Sequence, residues 1–123
     1  MRLLVSGSSS SPLVFFDLSA NFLRIAGVST MPDAAQFYEK LSFWLKDHAM
    51  HIRPGTELVL SLHFLNSASI RALYQFLQQV AREGWPLHIV VTHQAESDNS
   101  DVVEVLMEAC KMLGLSCEMR QET

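Results

Sequence analysis

A chain of 123 residues with 49% hydrophobic side chains fits one domain with a core of its own and leaves little room for a second. Its formal charge of −4, with only nine Lys and Arg, provides no basic stripe to follow a phosphate backbone, which argues against a nucleic-acid partner. Two cysteines, Cys110 and Cys117, make neither a disulfide framework nor a Cys-X-X-Cys motif, and no apolar run reaches the roughly 18 residues of a membrane span, so reduced thiols, a cytoplasmic location and no membrane partner are expected.

Residues 1–11 hold an apolar run at 3–5 that is too short for a signal-peptide core and end in Ser-Gly-Ser-Ser-Ser-Ser. Glycine entropy and serine competition for backbone hydrogen bonds make this stretch a flexible arm in expectation, with one domain over 12–123. Residues 12–18 and 22–28 are rich in Val, Phe, Leu and Ile, and Ser19-Ala20-Asn21 between them can turn the chain into an opening hairpin. Met31-Pro32-Asp33 then announces a helix, with Asp33 as cap and Gln36 completing a capping box. Its inward stripe is Phe37, Tyr38, Leu41, Trp44, Leu45 and His48. Phe43 lies about 200° round the helix from Leu41 and is expected to be exposed, a candidate for contact with a partner.

Arg53-Pro54-Gly55 return the chain to a strand in which Leu58, Leu60, Leu62 and Phe64 alternate with smaller or polar residues. After Asn66-Ser67-Ala68-Ser69 the period changes: Ile70, Leu73, Tyr74, Leu77, Val80 and Ala81 recur at the spacing of one helical face. Gly84-Trp85-Pro86 end that helix. Residues 87–92 read as a β-branched strand and 93–100 as a polar loop. Asp98, Asn99 or Ser100 can cap a last helix to Leu113 that turns Val102, Val103, Leu106, Ala109, Cys110 and Leu113 inward. A final edge strand is expected at 115–119. The order β-β-α-β-α-β-α-β predicts an α/β fold with a mixed, mostly parallel sheet and packed helices.

The chemistry-bearing patterns are few. His48 and His51 have an i, i+3 spacing, but the helix is expected to end between them, and His63, His88 and His93 lie on or beside strands without a ligand set, so no metal site is expected. Ser67, between strand and helix, has the place of a nucleophile elbow but not its glycines: Leu65 and Ser69 stand two residues either side. The same turn has no glycine for a phosphate loop. No catalytic residue and no cofactor are expected. What the turn does offer is a helix N-terminus, where free N–H groups and partial positive charge favour an anion. A phosphate carried by Ser67 would add about −1.5 to −2 charges there, with Arg71 one turn away. The competing reading is that Asn66, Ser67 and Ser69 do no more than cap the helix, and from the residues alone that reading weighs more.

The balance shifts with a resemblance that covers residues 11–119. The block LHFLNSASIRALYQFL at 62–77 resembles the strand-turn-helix of the SiaC family of bacterial regulatory phosphoproteins, typically Tyr-Phe/Leu-Asn-Thr-Ser-Ser before a helix containing Lys or Arg. Phe15-Phe16-Asp17 with Leu23-Arg24-Ile25-Ala26-Gly27 resembles the family's hairpin, and Met31-Pro32-Asp33 with Phe37-Tyr38 and Trp44-Leu45 its first helix. The turn is more distantly similar to the Asp-Ser-Ser-Gly corner of anti-sigma-factor antagonists with the STAS fold.

The resemblance implies a STAS-like domain and a non-enzymatic, partner-switching role. It implies phosphorylation at Ser67, with Ser69 as a weaker alternative and Asn66, Ala68, Ser69 and Arg71 supporting the turn. Ala68 departs from the family's serine at that place. The implied partners are a serine/threonine kinase with a histidine-kinase-like ATPase fold, a PP2C-type phosphatase and a client such as a diguanylate cyclase, tying the protein to cyclic di-GMP and biofilm regulation. Arg71, Gln75, Gln78 and Arg82 on the polar side of the helix, together with Phe43, are the expected partner contacts. The alternative is a module that uses the same corner to hold a small anionic or nucleotide ligand noncovalently.

Overall fold

The computed structural model describes residues 1–94 and 98–122, so residues 95–97 of the expected polar loop lie outside it. Nine elements follow one another: β1 (Arg2–Val5), β2 (Leu13–Asp17), β3 (Phe22–Ser29), α1 (Ala34–Asp47), β4 (Thr56–Leu65), α2 (Ser67–Glu83), β5 (Leu87–Gln94), α3 (Ser100–Met112) and β6 (Cys117–Glu122). The strands form one sheet in sequence order, β1-β2-β3-β4-β5-β6. β1 to β3 are antiparallel, and β3 to β6 are parallel neighbours. This is a mixed, mostly parallel STAS-like α/β domain, with the expected order of strands and helices preceded by one more strand.

That extra strand corrects the expectation of a flexible arm over 1–11. Arg2 to Val5 pair with Asp17 to Val14, Arg2 donates to the Asp17 carboxylate at 3.2 Å, and the Ser10 carbonyl accepts from the Thr30 amide at 2.8 Å. A run of three apolar residues is too little to signal a strand by itself. Pairing with an already formed hairpin supplies the missing hydrogen bonds.

Each parallel crossover moves one strand in the same direction, so right-handed connections place all three helices on one face of the sheet. The core lies there. Leu58, Leu60 and Leu62 of β4 and Ile89 and Val91 of β5 meet Tyr38, Leu41 and Leu45 of α1, Leu73, Phe76 and Leu77 of α2, and Leu106 and Cys110 of α3 in one cluster. Burial pushes the Cys110 thiol up to about 12, with Cys117 adding to the effect. On the opposite face Val59 and Val90 are also buried, sheltered by long charged side chains rather than by a helix. Arg120 bridges Glu57 at 3.0 Å and Glu118 at 3.1 Å, Arg24 meets Glu122 at 3.1 Å, and His88 meets Glu118 at 2.7 Å.

Two expected caps take other forms. Asp33 sits at φ −98°, ψ 35° and makes no side-chain cap bond; its backbone is not extended, so the capping box with Gln36 does not close. Asn99 occupies the cap position of α3 without capping it. Its amide is drawn instead between the diverging ends of β4 and β5, donating to the Leu62 and Thr92 carbonyls and accepting from the Gln94 amide, each at 3.1 Å.

Candidate functional site: the first turn of α2

The site begins with a glycine 40 residues before it. Gly27 has φ +109°, with open space where a side chain would go, and marks a bulge at which the β3–β4 register slips so that Val28 faces Phe64 and Ser29 faces Leu65. A backbone of this kind is readily adopted by glycine alone. The slip carries Ser29 beneath the start of α2, where its carbonyl accepts from the Asn66 amide at 3.1 Å.

Asn66 is the cap. Its backbone is extended at φ −82°, ψ 171°, and its side-chain oxygen accepts from the Ser69 amide at 2.8 Å, satisfying one of the free N–H groups of the first turn. Ser67 is the first helical residue and does not cap.

The three serines that converge here separate by environment. Ser29 and Ser69 are fully buried. Tyr38 of α1 donates to the Ser29 hydroxyl at 2.9 Å, and Ser29 donates to the Ser69 hydroxyl at 2.8 Å. This chain ties α1, β3 and α2 together, and burial pushes the Tyr38 hydroxyl from 10.0 up to about 12, the bond with Ser29 working the other way. Ser69, the alternative acceptor of the sequence, is thus shielded from solvent in the folded protein, unlike Ser67.

Ser67 is exposed, and its hydroxyl makes no hydrogen bond to the described residues. Ala68 is half-buried and packs against the core, a place an alanine methyl fills without a polar group to satisfy. No acidic residue lies in the first turn of α2, so added negative charge at Ser67 would meet no like charge there, only the positive end of a 17-residue helix.

The remaining expected contacts sort along α2. Ser67, Arg71, Gln75, Gln78 and Arg82 fall within about 80° of one another at ~100° per residue, so they form one crest opposite the core. Arg71, Gln75 and Arg82 are exposed and Gln78 is partly so. Arg71 has no ion-pair partner among the described residues. Phe43 of α1 is 56% exposed, as its angle predicts, and with Gln75 it lines a small groove of about 230 Å³ between α1 and α2. Neither this groove nor the one between α2 and α3 is lined by Asn66, Ser67 or Ala68.

One surface residue was hidden by the strand pattern. Alternation assigns Phe64 to the core with Leu58, Leu60 and Leu62, yet it is 67% exposed. It lies past the bulge, at the end of β4, beside the Ser67 turn. An aromatic residue immediately ahead of a polar turn was the available signal. Of the histidines, His48 is engaged by the Trp44 carbonyl at 2.8 Å and stacks on the Trp44 ring, while His51 lies in a separate short turn after α1. Among the described residues no three His, Cys, Asp or Glu side chains gather as a metal site, and no helix is long and apolar enough to cross a membrane.

Comparison with known proteins adds the wider frame. The model of the SiaC family regulatory phosphoprotein matches residues 5–120. Among curated proteins none matches. SiaC of Pseudomonas aeruginosa superposes with a TM-score of 0.78 at 20% identity, covering 99% of each chain. Its apo form gives 0.76 at 21%, covering 98% of each. A chain in the crystal structure of the diguanylate cyclase SiaD in complex with its activator SiaC, from the same organism, gives 0.79 at 21% identity, covering 98% of this chain and 99% of that one.

Proposed function

Because this chain belongs to the SiaC family of regulatory phosphoproteins, regulators rather than catalysts, we propose that it is a partner-switching protein whose binding state is set by phosphorylation of Ser67. The observation that carries this reading is the contrast within one turn. Ser67 is exposed and its hydroxyl is uncommitted at a helix N-terminus, while the neighbouring work of capping and anchoring falls to Asn66 and Ser69. A phosphate at Ser67 adds a dianion without dismantling any bond of the fold, and it stands at the end of the crest formed by Arg71, Gln75, Gln78 and Arg82. The switch is local: the scaffold stays and the charge offered to a partner changes.

The enzymes that write and erase the mark are proposed to be a serine/threonine kinase with a histidine-kinase-like ATPase fold and a PP2C-type phosphatase. The client is proposed to be a signalling enzyme such as a diguanylate cyclase, the kind of protein with which the similar SiaC was crystallised. The crest and Phe43 are its proposed contacts. The test is calorimetric titration of a diguanylate cyclase from the same genome with unmodified and Ser67-phosphorylated protein. A change in affinity of about tenfold or more between the two forms, with unchanged circular dichroism, is expected. Equal affinity of the two forms would remove the switch from the account.

A further inference from the structure

Two grooves flank the crest of α2, and their chemistry differs. The one toward α1 carries both Glu39 and Lys46 beside Gln75 and Gln79, so it favours neither sign of charge. The one toward α3 is larger, about 610 Å³, and its lining holds three carboxylates, Asp101, Glu104 and Glu108, with no Lys or Arg among the described residues. Among the described residues none of the three carboxylates has an ion-pair partner. Its apolar surface comes from Ile70 and Tyr74 of α2 and from Val105 and Met112 of α3. Ile70 is 37%, Val105 38% and Met112 69% exposed, so the apolar part of the groove is open to solvent.

On α3 the positions 101, 104, 105, 108 and 112 recur at three- and four-residue spacing, so acid and apolar side chains share one stripe. We infer that this groove is a docking site for an amphipathic helix of a partner protein, with an apolar ridge flanked by Lys or Arg. A third helix laid between two packed ones buries the exposed Ile70, Val105 and Met112 while its cations reach the three unpaired carboxylates. α3 has 13 residues, roughly 20 Å at 1.5 Å per residue, which gives the incoming helix room for between three and four turns. Charge sign selects this occupant, because an acidic or neutral helix would leave the carboxylates repelled or unpaired.

The inference rests on the partner-binding part of the reading above and not on modification of Ser67. The probe is a fluorescein-labelled Leu/Lys amphipathic peptide of about 18 residues, long enough to be helical, titrated into the full chain by anisotropy. A scrambled peptide of the same composition and a Leu/Glu version serve as controls. Saturable binding of the ordered Leu/Lys peptide is expected, weakening as salt is raised. The charge-reversed variant E104K/E108K should lose about tenfold or more and gain affinity for the Leu/Glu peptide. Both changes sit on exposed positions, and circular dichroism checks the fold.

Equal binding of the scrambled peptide, indifference to E104K/E108K, or no saturable binding would overturn the proposal. So would a dimer in sedimentation that Val105→Asn abolishes, since a second copy would then fill the groove. Ser67→Ala in the same titration should change nothing. A failed peptide titration thus leaves the phosphorylation switch standing, and a failed switch leaves the groove standing.

Discussion

Ser67 and Ser69 lie two residues apart on one turn, yet they belong to different regions of the molecule. Ser69 hangs from the underside of α2, fully buried, at the end of a hydroxyl chain that starts on Tyr38. Ser67 sits on the crest, exposed, at the head of a polar stripe. The same side chain is a strut in one place and an open handle in the other, because helical rotation of about 200° separates the two positions. One turn can thus divide anchoring from exposure between two residues of the same type, and here it does.

The largest effect expected of this division is on the underside. Ser69→Ala leaves the buried Ser29 hydroxyl without its acceptor and should lower stability by about 1–3 kcal/mol in urea unfolding. A loss no larger than that of an exposed serine would mean the hydroxyl chain is incidental. The same chain makes an alkaline prediction. Tyr38 has its folded value raised from 10.0 to about 12, so its contribution is fully present below pH 10 and is lost as pH climbs toward 12. Thermal melts should fall across that window, and Tyr38→Phe should flatten the part due to this group.

Asn66→Ala comes next, removing the cap bond to the Ser69 amide at a cost of about 0.5–2 kcal/mol. The crest should respond least. Ser67→Asp, which sets a carboxylate at the positive end of α2, should gain about 0.3–1 kcal/mol. Ser67→Ala should stay within about 0.5 kcal/mol of the parent in the same urea experiment. A capping-size loss for Ser67→Ala would erase the contrast between the two serines.

Much of this was legible in the sequence, and what was not shares a physical cause. The change from period two to period 3.6 around Asn66-Ser67-Ala68-Ser69 located the turn, and the angle between Phe43 and Leu41 foretold an exposed ring. These are local signals. The partners of Ser69 depend on a bulge at Gly27 and on a tyrosine from another helix, brought together only by strand register. The strand Arg2–Val5 forms because a hairpin is there to receive it. Val59 and Val90 are sealed by charged side chains from neighbouring strands, and Phe64 escapes the core because it lies past the slip in register. Alternation along one strand carries no information about where its neighbours end. At the Ser67 turn, composition and spacing left a cap and a phosphate acceptor as rivals; assigning the cap to Asn66 frees Ser67 for the second role.

The most direct measurement is site mapping of the phosphate. Incubating the chain with its cognate kinase and ATP, followed by mass spectrometry of the wild type and of Ser67→Ala, should place a single phosphate on Ser67 in the first and none in the second. Phosphate that persists in Ser67→Ala, or that maps to Ser69, would contradict the account.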